Sequence, residues 1–121
     1  MQFLGQSLDL VPLKGYTLPP VNITGASNVF TVDLTLGNEF VVTTAAASTV
    51  NLPAPLAGQN YTVTIVYTGN YAITWTPASG MLKWVGGTEP TQTKVNGKED
   101  IYIFSSRVNA TLRGVDGGRN I

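Results

Sequence analysis

Tyr61-Thr62-Val63-Thr64-Ile65-Val66-Tyr67-Thr68-Gly69-Asn70-Tyr71-Ala72-Ile73-Thr74-Trp75-Thr76 carries the clearest structural signal in the chain. Apolar residues and threonines alternate with a period of two. One face of an extended strand therefore collects Tyr61, Val63, Ile65 and Tyr67. After the turn-forming Thr68-Gly69-Asn70, a second run collects Tyr71, Ile73 and Trp75 on one face. Two such runs joined by a short glycine-containing turn predict an antiparallel hairpin.

The same pattern continues on both sides. Upstream, Val29–Leu36 places Phe30, Val32, Leu34 and Leu36 on one face; Gly37-Asn38 then turns the chain into Glu39–Thr44, which predicts another hairpin. The alanines of Ala45–Ala47 favour helix, but the run is short and uncapped, and Thr49–Leu52 alternates as a strand that stops at Pro53. Downstream, a short run at Met81–Val85 leads into Gly86-Gly87-Thr88-Glu89-Pro90, a shaped loop in which paired glycines permit positive φ and proline fixes its own. Asn96-Gly97 predicts a turn. Glu99–Ser106 has apolar residues on both faces, as a central strand would, and Ala110–Val115 pairs back on it, leaving 116–121 as a polar tail. These readings predict an all-β chain: a single antiparallel β-sandwich or jelly-roll-like domain over residues 25–121, with residues 1–24 as an extended N-terminal arm.

The arm has its own character. Phe3, Leu4, Leu8, Leu10, Val11, Leu13 and Leu18 keep neither a strand nor a helix period, and Pro12, Gly15, Pro19 and Pro20 interrupt any long element; Phe3, Leu4, Leu8, Leu10, Val11, Leu13 and Tyr16 are the residues expected to contact a partner. Burying these side chains against one another falls short of the entropy of fixing the backbone. The arm is therefore expected to add a strand to a sheet edge or to lie on another protein, the alternative being a locally packed first strand with a loose tail. Fully stretched, about 20 residues span about 65–70 Å, enough to cross a neighbouring subunit.

Composition narrows the chemistry. Charged residues make up 12% of the 121 residues and the formal net charge is zero, with the lysines and arginines scattered. No basic cluster points to nucleic acid or to an anionic membrane surface, and no apolar run reaches membrane-helix length. The start lacks a basic, then apolar, leader pattern, so synthesis in the cytoplasm is expected. Cysteine and histidine are both absent. That removes disulfides, the Ser-His and Cys-His nucleophile pairs and the usual zinc ligands. Among the carboxylates, adjacent Glu99 and Asp100 point to opposite faces of a strand, and Asp33 and Glu39 read as surface residues of one hairpin. No catalytic, cofactor-binding or metal-binding residue is expected. Trp75, Tyr61 and Tyr67 share faces with aliphatic residues and read as core; Trp84 and Tyr16 are the aromatics whose exposure stays open.

An ordered series of segments is similar to a known module. Phe30-Thr-Val-Asp-Leu34, Gly37-Asn-Glu-Phe-Val-Val-Thr43, Leu52-Pro-Ala-Pro55, Ala57-Gly-Gln-Asn-Tyr-Thr-Val63, Thr74-Trp-Thr-Pro77 and Lys83-Trp-Val-Gly-Gly-Thr-Glu-Pro-Thr91 occur in this order. Together they resemble a β-rich module of tailed-bacteriophage virion proteins, found in tail fibres and related appendages. In that module a Thr-Trp-Pro segment precedes Lys-Trp-Pro-Gly-Gly-Thr-Ala-Pro-Thr, and a strand beginning with Asp follows. The resemblance covers residues 28–115, with Trp75, Trp84, Gly86, Gly87, Pro90 and Asp100 at matching positions and the arm outside it. Val85 stands where the module commonly has proline, and Asn109-Ala-Thr-Leu-Arg113 replaces an aromatic-glycine ending. The resemblance implies a non-enzymatic virion protein, and a short chain with an apolar arm points to capsid decoration. Its expected form is a homo-oligomer, a trimer, bound to the major capsid protein of the assembled head. The competing implication is a tail- or head-fibre module that binds a receptor or glycan through aromatics near Trp84.

Overall fold

A computed structural model describes residues 18–55, 59–78, 81–106 and 111–121. Among these residues there are nine strands and no helix: β1 Val21–Ile23, β2 Val29–Thr31, β3 Glu39–Thr43, β4 Ser48–Leu52, β5 Thr62–Gly69, β6 Ile73–Pro77, β7 Leu82–Trp84, β8 Val95–Ser106 and β9 Leu112–Gly118. A six-stranded sheet runs β1-β3-β5-β8-β9-β7 and a three-stranded sheet runs β2-β4-β6.

The first six strands alternate between the two sheets. β1, β3 and β5 are parallel neighbours in the larger sheet, and β2, β4 and β6 are parallel neighbours in the smaller. The chain thus winds through three turns, each giving one strand to each sheet, in the registers Val21–Phe40–Ile65 and Phe30–Val50–Trp75. This corrects the antiparallel architecture expected from the sequence. Neither the hairpin expected across Val29–Thr44 nor the one across Tyr61–Thr76 forms, because each pair of runs is divided between two sheets.

The bend after β5 shows the cause. Tyr67 is buried, and its hydroxyl both donates to the Tyr71 carbonyl and accepts from the Tyr71 N–H at 3.0 Å. With its inside filled by a phenol, the bend folds β6 over the core instead of laying it flat beside β5. Successive bends then bond to one another. The Thr44 N–H donates to the Thr68 carbonyl (3.1 Å), Ser48 N–H to Ala72 (3.0 Å) and Thr49 N–H to Asn28 (2.9 Å). Each parallel turn in this way satisfies the backbone of the one before it. β2 is shorter than the alternation suggested. Asp33 accepts from the Thr35 N–H (2.9 Å) and hydroxyl (2.6 Å), making a local turn that ends the strand and leaves Leu36 exposed.

The last part of the chain closes the larger sheet in antiparallel fashion. β8 pairs with β5 on one side and β9 on the other, as expected of a central strand, and β9 pairs in parallel with β7. Asn96-Gly97 does not turn the chain. The register steps from Thr68–Glu99 to Gly69–Val95, so the pair lies in a bulge within β8. The C-terminal residues are not a free tail either: the Glu99 and Ile121 backbones exchange hydrogen bonds at 3.1 and 3.2 Å.

The buried residues of both sheets form one cluster. Phe30, Val50, Leu52 and Trp75 from the smaller sheet meet Phe40, Ile65, Tyr102 and Phe104 from the larger. Gly69 packs closely on the neighbouring bend: it has φ 139°, and a Cβ there would strike the Thr44 hydroxyl. Gly69→Ala is expected to lower unfolding free energy by about 1–3 kcal/mol, through strain and overpacking together. A urea titration checks this; an unchanged midpoint would show that the bends do not stack this tightly.

Candidate functional site

The segments carrying Trp75 and Trp84 lie where the two sheets are joined. β6 brings Trp75 into the core from the smaller sheet, while β7 and β8 bring Trp84, Tyr102 and Phe104 from the larger. Trp75 sits 4.8 Å, centroid to centroid, from both Tyr102 and Phe104, and Trp84 packs edge-on at 6.4 Å from Trp75 and 5.5 Å from Phe104. These inclined geometries match the ring quadrupoles and contribute about 0.5–1.5 kcal/mol per pair beyond burial. Trp75 reads as core, as expected. Trp84 is half-buried, its ring lying against Gly114, where an added Cβ would approach it to 2.5 Å.

The loop after Trp84 is shaped by its own backbone. Gly86 and Gly87 have φ of 89° and 85°, and the Gly87 N–H donates to the Trp84 carbonyl at 2.9 Å. A side-chain residue would be strained at either position. Past Pro90 the loop returns to the free edge of β6. There the Gln92 amide bonds to one residue twice: the Ile73 N–H donates to Oε1 (2.8 Å), and Nε2 donates to the Ile73 carbonyl (2.7 Å). One side chain thus takes the place of a neighbouring strand, and Pro77, which lacks an N–H, stands farther along the same edge. Gln92 carried no recognisable sequence signal, since an isolated glutamine in a polar loop looks like any surface residue.

Asp100 is the other residue that sequence reasoning undervalued. It is 1% exposed and holds three segments together. Its carboxylate accepts from the Thr93 N–H (2.7 Å) and hydroxyl (2.5 Å), from the Asn120 N–H (3.1 Å) and, at 3.4 Å, from the Tyr102 hydroxyl. Burial disfavours the charge, but these donors outweigh it and hold the carboxyl below its ordinary 3.8. Tyr102 is driven the other way, first by burial and then by the Asp100 charge, and stays a neutral donor. Burial likewise raises Tyr61 to about 12, and its hydroxyl donates to the Pro53 carbonyl at 2.5 Å. Arg119 completes the closure, pairing with Asp116 at 2.8 Å and donating to the Thr91 carbonyl at 2.8 Å. That ion pair is exposed and worth at most about 1 kcal/mol.

The sequence-derived residues thus divide cleanly. Trp75, Trp84, Gly86, Gly87 and Pro90 belong to one corner, in which hydrogen bonds and rings are directed inward. Phe3, Leu4, Leu8, Leu10, Val11, Leu13 and Tyr16, assigned to partner contact, lie outside the described residues. The segment read as arm ends inside the fold, because Val21–Ile23 forms β1 at the edge of the larger sheet. Asp33 is committed to its own turn, and its hydrogen bonds from the Thr35 hydroxyl and N–H hold it below the usual carboxylate value. Among the described residues no three His, Cys, Asp or Glu side chains converge. Among the described residues, an open groove of about 520 Å³ is lined in part by Leu18, Leu34, Leu36 and Tyr61. Set against protein-family models, curated proteins and solved structures, the chain matches none.

Asp100→Asn is expected to cost about 2–4 kcal/mol of stability near neutral pH, because a neutral amide cannot accept from all of these donors. The depressed carboxyl stabilises the wild-type fold fully above 3.8, and that contribution is lost as pH falls through the lower folded-state value. Urea unfolding across this range should show the wild type losing stability on acidification faster than the variant. Parallel curves would contradict the role of the charge.

Proposed function

We propose that this chain is a non-enzymatic structural protein of a tailed-bacteriophage virion, a capsid decoration protein that binds the assembled head as a homo-oligomer. Its two facing sheets are then a sandwich made by winding the chain rather than by folding hairpins. Support begins with the ordered segments from Phe30 to Thr91, which resemble a virion module. Trp75 and Trp84 are spent on packing, and the loop after them leads to Gln92 at a sheet edge, so recognition falls to other surfaces. One observation carries the proposal furthest: β1, which follows the apolar N-terminal segment, is the outermost strand of the larger sheet. A segment joined at a sheet margin is well placed to reach a neighbouring protein, here the major capsid protein.

Controlled dissociation of particles tests the assignment. The protein should stay with heads when tails are removed; recovery with the tail fraction, or measurable glycan binding, would favour an appendage instead. Removing residues 1–20 leaves every described strand intact in sequence. The shortened protein is expected to keep a cooperative unfolding transition and lose binding to heads. Full binding by the shortened protein would overturn the role given to the arm.

A further inference from the structure

The six-stranded sheet has two faces, and the smaller sheet covers one of them. Strand alternation puts Val41, Val66, Ile101, Ile103 and Val115 on the other. The registers place these residues side by side: Val41 pairs with Val66 and Val66 with Ile101, while Ile103 pairs with Val115. They make a continuous apolar patch across four strands, bordered by threonines, and no described strand lies over it. Apolar side chains gathered in register on an uncovered face mark an interaction surface more often than scattered ones do.

Charges around the patch are segregated. Lys83 and Arg113 are register partners at one corner, on β7 and β9. Glu39 lies on β3, across the sheet, and Glu99 lies at the opposite end of β8 from the Ser105–Arg113 pair. The one ion pair among the described residues joins Arg119 to Asp116 and involves none of these four. Laying the face on a copy of itself about an in-plane two-fold axis brings the cationic corner over an acid. An axis along the strands sets it near Glu39, and an axis across them sets it near Glu99. The cationic corner is kept away from its own copy in both, and the apolar centres meet.

We propose that the outer face of the six-stranded sheet is an isologous interface that pairs two copies of this chain. The pairing deepens the decoration reading and rests on it for the homo-oligomer, although it makes the unit two-fold, not the trimer that the sequence resemblance implied. With strands about 4.8 Å apart, the face is roughly 24 Å wide and about 20 Å long, giving about 1,000 Å² when two copies meet. That is the low end for specific interfaces and makes a dimer whose population depends on concentration.

Analytical ultracentrifugation of the full chain over a wide concentration range tests this directly. The wild type should show a reversible monomer–dimer equilibrium. Val41→Thr with Val66→Thr, which keeps β-branched side chains on the strands, should weaken it about tenfold or more. Lys83→Glu with Arg113→Glu should weaken it similarly, and adding Glu39→Lys with Glu99→Lys should restore it. A monomer at every concentration, a trimer, or a dimer indifferent to these substitutions would overturn the proposal, provided circular dichroism shows the variants folded. Head binding by the same proteins separates the two readings: an intact, substitution-sensitive dimer that does not bind heads would count against decoration alone.

Discussion

Trp75 packed against Tyr102 and Phe104 is the contact on which the remaining architecture depends. It joins the last strand of the three-turn winding to the central strand of the antiparallel closure, and so one sheet to the other. Phe30, Val50 and Leu52 of the smaller sheet extend the same contact into the common core. Gly114 has no side chain because Trp84 needs that space, and the loop after Trp84 turns sharply because it must bring Gln92 to the free edge of β6. The sequence around Lys83–Thr91, which looks at first like a ligand loop, is accounted for by these demands.

A wound parallel structure has an end problem that closed barrels lack, since each sheet stops at an open edge. Here the two sheets end differently. Past β5 the larger sheet continues into β8, β9 and β7. Past β6, among the described residues, the smaller sheet receives the Gln92 amide, and β6 itself ends in Pro77. Asp100 couples the two solutions, because its carboxylate holds Thr93, next to Gln92, and Asn120, beyond β9. One buried charge thus ties the cap of one sheet to the closure of the other. At the opposite end, β1 and β2 remain outermost, which is where the proposed attachment to a capsid begins.

Much of the fold was legible in the sequence, but only down to strands and faces. Alternation in Tyr61–Tyr67 correctly placed Val63, Ile65 and Tyr67 inward, and Ile101–Phe104 was correctly read as a central strand paired with the chain that follows. Partners were not legible, since a period of two says which side a residue faces and nothing about which strand lies beside it. Thr68-Gly69-Asn70 suits a hairpin and an inter-sheet bend equally well, and the phenol of Tyr67 decides between them through contacts with Tyr71. Asn96-Gly97 became a bulge because pairing resumed beyond it. Asp100 was obscured by its neighbour Glu99: two adjacent acids look like surface, yet alternation buries one and exposes the other. At the corner, the sequence picked out Trp75, Trp84 and the glycines by their types, and could not show Gln92, whose role is set by its distance from Ile73.

The parallel winding is the claim beneath all of this, and proton–proton Overhauser contacts between backbone groups test it most directly. The account predicts contacts linking Val41 with Val66 in the larger sheet and Val50 with Trp75 in the smaller. It predicts none of the regular cross-strand contacts that would join Ile65 and Tyr67 to Tyr71 and Ile73 in an antiparallel hairpin. Observing that hairpin ladder, with no contact between Val50 and Trp75, would contradict the account.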